Sequence, residues 1–243
     1  MTYCVGMKLN ESLVFMSDTR TNAGVDNISR FRKLFTWQVP GERVIVLMTA
    51  GNLATTQAVV SLLEERTKAP SERRPSILEM PTMFQIARHV GDTLKDVIQS
   101  NAPTGQKADS TFNSTIILGG QVKDMPPRMF MIYPEGNFIE ASDDTPFFQI
   151  GETKYGRPIL VRAYDPAMST EEAVKLLMVS FDSTIKANLS VGLPLDLQVV
   201  ETNALRLGKS KRIEAEDPYY RQISSGWGEA LKKAFDSLPP FRF

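Results

Sequence analysis

Between residues 53 and 100 the chain carries two helical stretches back to back, with blocks of short β-type runs on either side, and this order limits the fold more than any other feature. Leu53, Ala54, Gln57, Ala58, Val60 and Leu63 follow helical spacing after Asn52, the expected helix start. Phe84, Ala87, Val90, Leu94, Val97 and Ile98 share one side of a second helix over residues 83–100. A charged, proline-bearing linker, 70–81, separates them. Before this pair, β-branched and apolar runs predict strands at 2–8, 13–18, 34–39 and 43–49, with turns at Asn10-Glu11-Ser12 and Pro40-Gly41-Glu42. The last strand is apolar throughout, as in a strand buried on both faces.

After the polar stretch 101–110, strands are expected at 111–121, 128–133 and 137–141. Helices follow at 155–164, with Pro158 in the first turn, and at 170–187, led by the cap-type run Ser169-Thr170-Glu171-Glu172. A hairpin of 195–201 and 204–211 closes the pattern, and Trp227, Leu231 and Phe235 lie at helical spacing in the tail. Strands, helices, strands, helices, strands bury every apolar face if two mostly antiparallel sheets stack with helices outside each. The expected fold is a four-layer αββα sandwich, α/β in the broad sense and α+β in the strict one.

Charge excludes some functions. The chain has 28 basic and 28 acidic residues, so nothing predicts a nucleic-acid partner. One cysteine, Cys4, and one histidine, His89, leave no internal disulfide and no cysteine- or histidine-built metal site, and no cofactor is expected. No run approaches the roughly 18 apolar residues of a membrane span. A cytoplasmic protein without a membrane partner is expected. Cys4 reads as a small buried hydrophobe, His89 as a structural histidine in the second helix, and Asp143-Asp144 as the loop after a strand.

Thr2 follows an initiator that is removed when the second residue is small. Residue 2 would then carry a hydroxyl and a free α-amine together. That amine titrates near pH 8 in peptides, so part of it is neutral at working pH and can accept the hydroxyl proton. Further along stand Ser17-Asp18-Thr19-Arg20-Thr21-Asn22-Ala23-Gly24, then Lys33-Leu34-Phe35, then Thr49-Ala50-Gly51-Asn52. This order, over roughly residues 2 to 200, resembles proteasome β-subunits and the bacterial peptidase of the same fold. The opening Met-Thr-Tyr-Cys-Val-Gly, the run Thr21 to Asn27 and Ala50-Gly51-Asn52-Leu53-Ala54-Thr55-Thr56-Gln57 look like the Anbu, or ancestral β-subunit, group of bacteria.

The resemblance implies an N-terminal-nucleophile hydrolase in which Thr2 attacks a peptide or amide bond. Lys33 lowers the proton affinity of the Thr2 amine and hydroxyl, Asp18 holds Lys33, and the Gly51 N–H is the oxyanion donor. Thr21, Thr49 and Leu53 line the substrate cleft, where an extended peptide pairs as an added strand. Three places depart from the proteasome pattern. The Asp18 to Lys33 interval is one residue shorter, Glu152 of Gly151-Glu152-Thr153 replaces a supporting serine, and Asn188 replaces an aspartate, with Ser190 as the associated serine. Residues 1–213 are expected to form the αββα domain and 214–243 a helical tail packing on it or on a neighbouring subunit. A homo-oligomer, ring or open helix, is implied. Two other readings keep the fold: hydrolysis of a small amide or isopeptide, and a non-catalytic assembly subunit.

Overall fold

The computed structural model describes residues 2–22, 28–68, 75–101 and 112–243. Met1, the end of the 21–27 motif, the first part of the expected linker and nearly all of the polar stretch before the second sheet lie outside the described residues. The elements in chain order are β1 (Tyr3–Lys8), β2 (Ser12–Asp18), β3 (Arg20–Asn22), β4 (Ile28–Arg30), β5 (Leu34–Val39), β6 (Arg43–Gly51), α1 (Leu53–Lys68) and α2 (Met83–Asn101). Then come β7 (Ser114–Val122), β8 (Arg128–Ile132), β9 (Phe138–Glu140), β10 (Phe147–Gly151), α3 (Arg157–Ala163), α4 (Thr170–Ala187), β11 (Leu195–Glu201), β12 (Ser210–Ile213) and α5 (Pro218–Asp236).

Two five-stranded sheets, ordered β10-β1-β2-β11-β12 and β5-β6-β7-β8-β9, are antiparallel throughout. Strand alternation sends neighbouring side chains into different layers. In β1, Tyr3, Val5 and Met7 meet Leu177 and Phe181 of α4, while Cys4 faces the other sheet. In β6, Ile45 and Leu47 meet α1 and α2, while Val44, Val46 and Met48 pack between the sheets against Leu13, Phe15 and Phe148. Both faces of these strands are dry, which explains why they read as unbroken apolar runs. The three clusters are the three interfaces of a four-layer αββα sandwich. Space between the sheets is tight at Gly6, where an added Cβ would come within 2.6 Å of Met129 Sδ.

The helices obey local rules. The Asn52 side chain accepts the Thr55 N–H at 3.0 Å, and Ser169 and Glu172 form a reciprocal capping box at the start of α4. Pro158 sits in the first turn of α3.

Three differences from the sequence expectation concern strands, the first being the short antiparallel pair β3 and β4, which was not expected. Residues 147–151, not expected as a strand, form β10, an edge strand beside β1. The last strand is Ser210–Ile213 instead of 204–211. Leu205 and Leu207 bond across to the other sheet: the Gly41 N–H donates to the Leu205 carbonyl and the Leu207 N–H to Gln38 Oε1. Their backbone groups are therefore taken before β12 begins. Among the described residues no helix is long and apolar enough to cross a membrane.

Candidate active site

Asp18 ends β2, and residue 33 immediately precedes β5. Sheet stacking brings them together between the layers. Lys33 Nζ donates to Asp18 Oδ1 at 2.7 Å and to the Arg20 carbonyl at 2.6 Å, which engages two of its three N–H groups. Asp18 is 0% exposed and Lys33 5%. The carboxylate also accepts the Tyr3 N–H at 3.0 Å and the Gly192 N–H at 3.4 Å. Burial pushes the Asp18 carboxyl above its ordinary value, with the Lys33 charge opposing that rise most strongly. The Tyr3 bond matters for position, because it ties the residue after Thr2 to the same carboxylate that orients Lys33.

Thr2, 9% exposed, lies just ahead of β1. Its carbonyl accepts the Glu152 N–H at 2.6 Å, and Gly151 lies directly on it. Gly151 has φ +83°, and a Cβ there would sit 2.0 Å from the Thr2 carbonyl oxygen. The unexpected strand β10 is thus what clamps the Thr2 backbone.

At the far end of β6, Gly51 has φ +126°, and a Cβ would come within 2.3 Å of the Asn113 carbonyl. β5 begins at Leu34, opposite Met48, and the Thr49 N–H bonds the Lys33 carbonyl at 3.0 Å. The last two residues of β6 therefore run past the end of β5. The Asn52 N–H points to the other side, toward Asn113. By alternation the Gly51 N–H leaves on the uncovered edge.

These residues share one cavity of about 380 Å³, lined by Thr2, Lys33, Gly51, Thr21, Thr49 and Leu53 from the sequence reading, together with Arg32, Ala50, Thr56 and Gly151. The other four candidates lie outside that lining: Asp18 is buried beneath Lys33, and Glu152, Asn188 and Ser190 stand behind Thr2. Asn188 Nδ2 donates to Glu152 Oε2 at 2.9 Å, the Lys154 N–H to Glu152 Oε1 at 2.8 Å, and the Ser190 N–H to Asn188 Oδ1 at 3.0 Å. Glu152, buried in this way, braces the loop whose N–H holds the Thr2 carbonyl.

Cys4 is fully buried, its thiol 3.7 Å from the Thr49 carbonyl, and burial drives its pKa up, so no thiolate is available. His89 contacts Arg66 between α1 and α2 and is not part of the cavity lining. A larger, mainly apolar cleft of about 840 Å³ lies beside α5, lined by Ile159, Met168, Leu176, Ile223 and Trp227. It gathers none of the candidate residues, so its size does not make it the site. Among the described residues no group of three or more His, Cys, Asp or Glu stands together.

Two stacked antiparallel sheets clad by helices, with the chain start opening into a cleft beside a buried lysine, define the proteasome-type N-terminal-nucleophile hydrolase fold. A family model described as "Proteasome subunit" matches residues 2–200. The chain belongs to the proteasome-subunit family and, within it, to the Anbu (ancestral β-subunit) group. Anbu from Yersinia bercovieri is 44% identical, covering 99% of this chain and 100% of its own, with a TM-score of 0.92. An Anbu (Gly-1) mutant from Hyphomicrobium sp. strain MC1 is 49% identical over the full length of both chains, with a TM-score of 0.91. A structure described as a helical assembly of the Anbu complex from Pseudomonas aeruginosa is 42% identical, covers 99% of this chain and 98% of its own, and has a TM-score of 0.92. Among curated proteins, proteasome subunit beta 2 of Pyrobaculum calidifontis is 23% identical over 207 residues, spanning 83% of this chain and 90% of that relative.

Proposed function

We propose that the chain is a threonine hydrolase that cleaves peptide or amide bonds with Thr2 after Met1 is removed. One observation carries the reading: a single cavity gathers Thr2, the buried Lys33 and the Gly51 backbone at the uncovered end of β6. Thr2 Oγ adds to the substrate carbonyl carbon while its proton passes to the Thr2 α-amine. The Lys33 charge disfavours a second positive charge on that amine and so keeps the base neutral before attack. The Gly51 N–H meets the oxyanion. The C–N bond then breaks, the leaving nitrogen takes the proton, and an ester to Thr2 remains. Water adds to this ester, gives one proton to the amine, and releases the acid as that proton returns to Oγ. Thr21 and Thr49 flank an extended substrate.

The same reading assigns self-assembly to the chain. Leu231, Phe235, Leu238 and Phe241 are exposed on or after α5, more apolar surface than a solvated tail requires, and a second copy would cover it. The helical assembly described for the Pseudomonas aeruginosa relative favours this.

The test is chemical. Methionine-processed protein, its free Thr2 verified by intact mass, is incubated with a peptide epoxyketone, which consumes the hydroxyl and the amine together. One added inhibitor mass on the Thr2 peptide is expected. No adduct, under conditions that label a proteasome control, overturns the proposal.

A further inference from the structure

The cavity that holds Thr2 and Lys33 is also lined by Arg32, and among the described residues no carboxylate lines it. Arg32 has a second neighbourhood. A cavity of about 420 Å³ between the edge strands β5 and β12 is lined by Arg32 with Leu34, Thr36, Asp196, Lys211 and Arg212. Asp196 is the acidic group there, and Arg212 occupies it with two bonds, Nε to Oδ1 at 2.7 Å and a terminal nitrogen to Oδ2 at 2.9 Å. Lys211 is paired with Asp217 at 2.6 Å. Lys33 is paired with Asp18. Among the described residues, Arg32 is therefore the cation of these two adjoining cavities that has no ion pair.

A guanidinium presents a planar fork of donors that fits a carboxylate with two parallel bonds, and low-dielectric walls on one side strengthen such a pair over one in open water. Lys33 already spends two of its N–H groups on Asp18 and the Arg20 carbonyl. We propose that Arg32 is a specificity-determining residue that receives a carboxylate of the substrate beside the scissile bond, so that the enzyme prefers acidic peptides. The inference rests on the reading of Thr2 as nucleophile, and it adds the substrate class. An acidic side chain is the source we assign. A free C-terminal carboxylate just beyond the scissile bond offers the same chemistry.

The experiment compares matched probes on methionine-processed, assembled protein. Epoxyketones carry Glu, Gln, Lys or Leu at either of the two residues on the acyl side, and the rate of Thr2 adduct formation is read by intact mass. Glu is expected to exceed Gln by roughly ten- to a hundred-fold at one position, the size of a charge-assisted pair. The ratio falls toward one in Arg32→Gln, is partly kept in Arg32→Lys, and reverses in favour of a Lys probe in Arg32→Glu. The preference also weakens with salt. Cleavage of peptides ending in a free or amidated carboxyl one residue past the scissile bond separates the second source. A preference for the free acid there that Arg32→Gln removes assigns the carboxylate to that side. Equal rates for Glu and Gln at both positions and for acid and amide, with labelling intact, overturn the role of Arg32. Absence of labelling by every probe overturns the Thr2 reading instead. Since Arg32 is exposed, the variants fold, and circular dichroism checks that they do.

Discussion

Asp18 and Lys33 are each almost wholly removed from water, so neither tolerates loss of the other. Asp18→Asn leaves a buried ammonium without its counter-charge and is expected to destabilise the fold by about 3–5 kcal/mol, read by denaturant unfolding. The same variant tests a pH dependence. Burial holds the Asp18 carboxyl above 3.8, and the ion pair exists only while that carboxyl is ionised. Activity is therefore present above the folded-state pKa and lost as pH falls through it. The Thr2 amine, the base, titrates at higher pH; below that step a further acid limb of the Thr2 labelling rate is expected above pH 3.8, and Asp18→Asn, which has no carboxyl to titrate, should lack this further limb. A limb at or below the ordinary carboxylate value would argue against the pair as its cause. Thr2→Ala removes the reacting oxygen and should lower turnover by at least about 10³-fold with the fold unchanged, while Thr2→Ser should keep part of it. Thr2, Asp18, Lys33 and Gly51 stood out in the sequence as candidates because their chemistry belongs to the residue type and their order resembles a known pattern. Arg32 did not, since in sequence it is one charge among many and only the two cavities distinguish it.

Elements set the precision of the site. The positive φ of Gly51 and the contact its Cβ would make with the Asn113 carbonyl predict that Gly51→Ala strains the end of β6 and turns the N–H away from the cleft. The expected result is about 1–3 kcal/mol of lost stability together with slower adduct formation, measured by thermal unfolding and mass spectrometry. Ser169→Ala is the control of opposite kind. It removes a cap remote from the cavity lining and should cost about 1 kcal/mol without changing the labelling rate. β10 shows what local patterning conceals. Phe147, Phe148 and Ile150 between Pro146 and Gly151 have strand character, yet five residues carry little signal by themselves, and their role appears only when β10 pairs with β1 and brings Gly151 and Glu152 against Thr2. The final strand shifted for a related reason: Leu205 and Leu207 spend backbone hydrogen bonds on the opposite sheet, which no local preference encodes.

At the scale of the molecule, the apolar surface beyond the sandwich is concentrated on α5 and the residues after it. Phe235 is 74% exposed, with Leu231, Leu238 and Phe241 also open to solvent. If a second copy covers this surface, Leu231→Lys with Phe235→Glu should shift the particle mass toward smaller species in light scattering and leave the thermal unfolding of the sandwich nearly unchanged. An unaltered particle mass would remove α5 from the assembly contact.

The sequence by itself determined the layer order, because hydrophobic periodicity is a local property and five alternating blocks have few ways to bury their faces. It also marked which residues are candidates for reactive chemistry. Tertiary structure alone decided that residues 2, 33, 51 and 151 meet at one cleft with Asp18 holding Lys33 beneath it, that Glu152 and Asn188 brace the Thr2 backbone from behind, and that Arg32 stands without an ionic partner among the described residues. The physical reason is that distances between segments far apart in the chain depend on register and stacking, which are fixed by the packing of all four layers together.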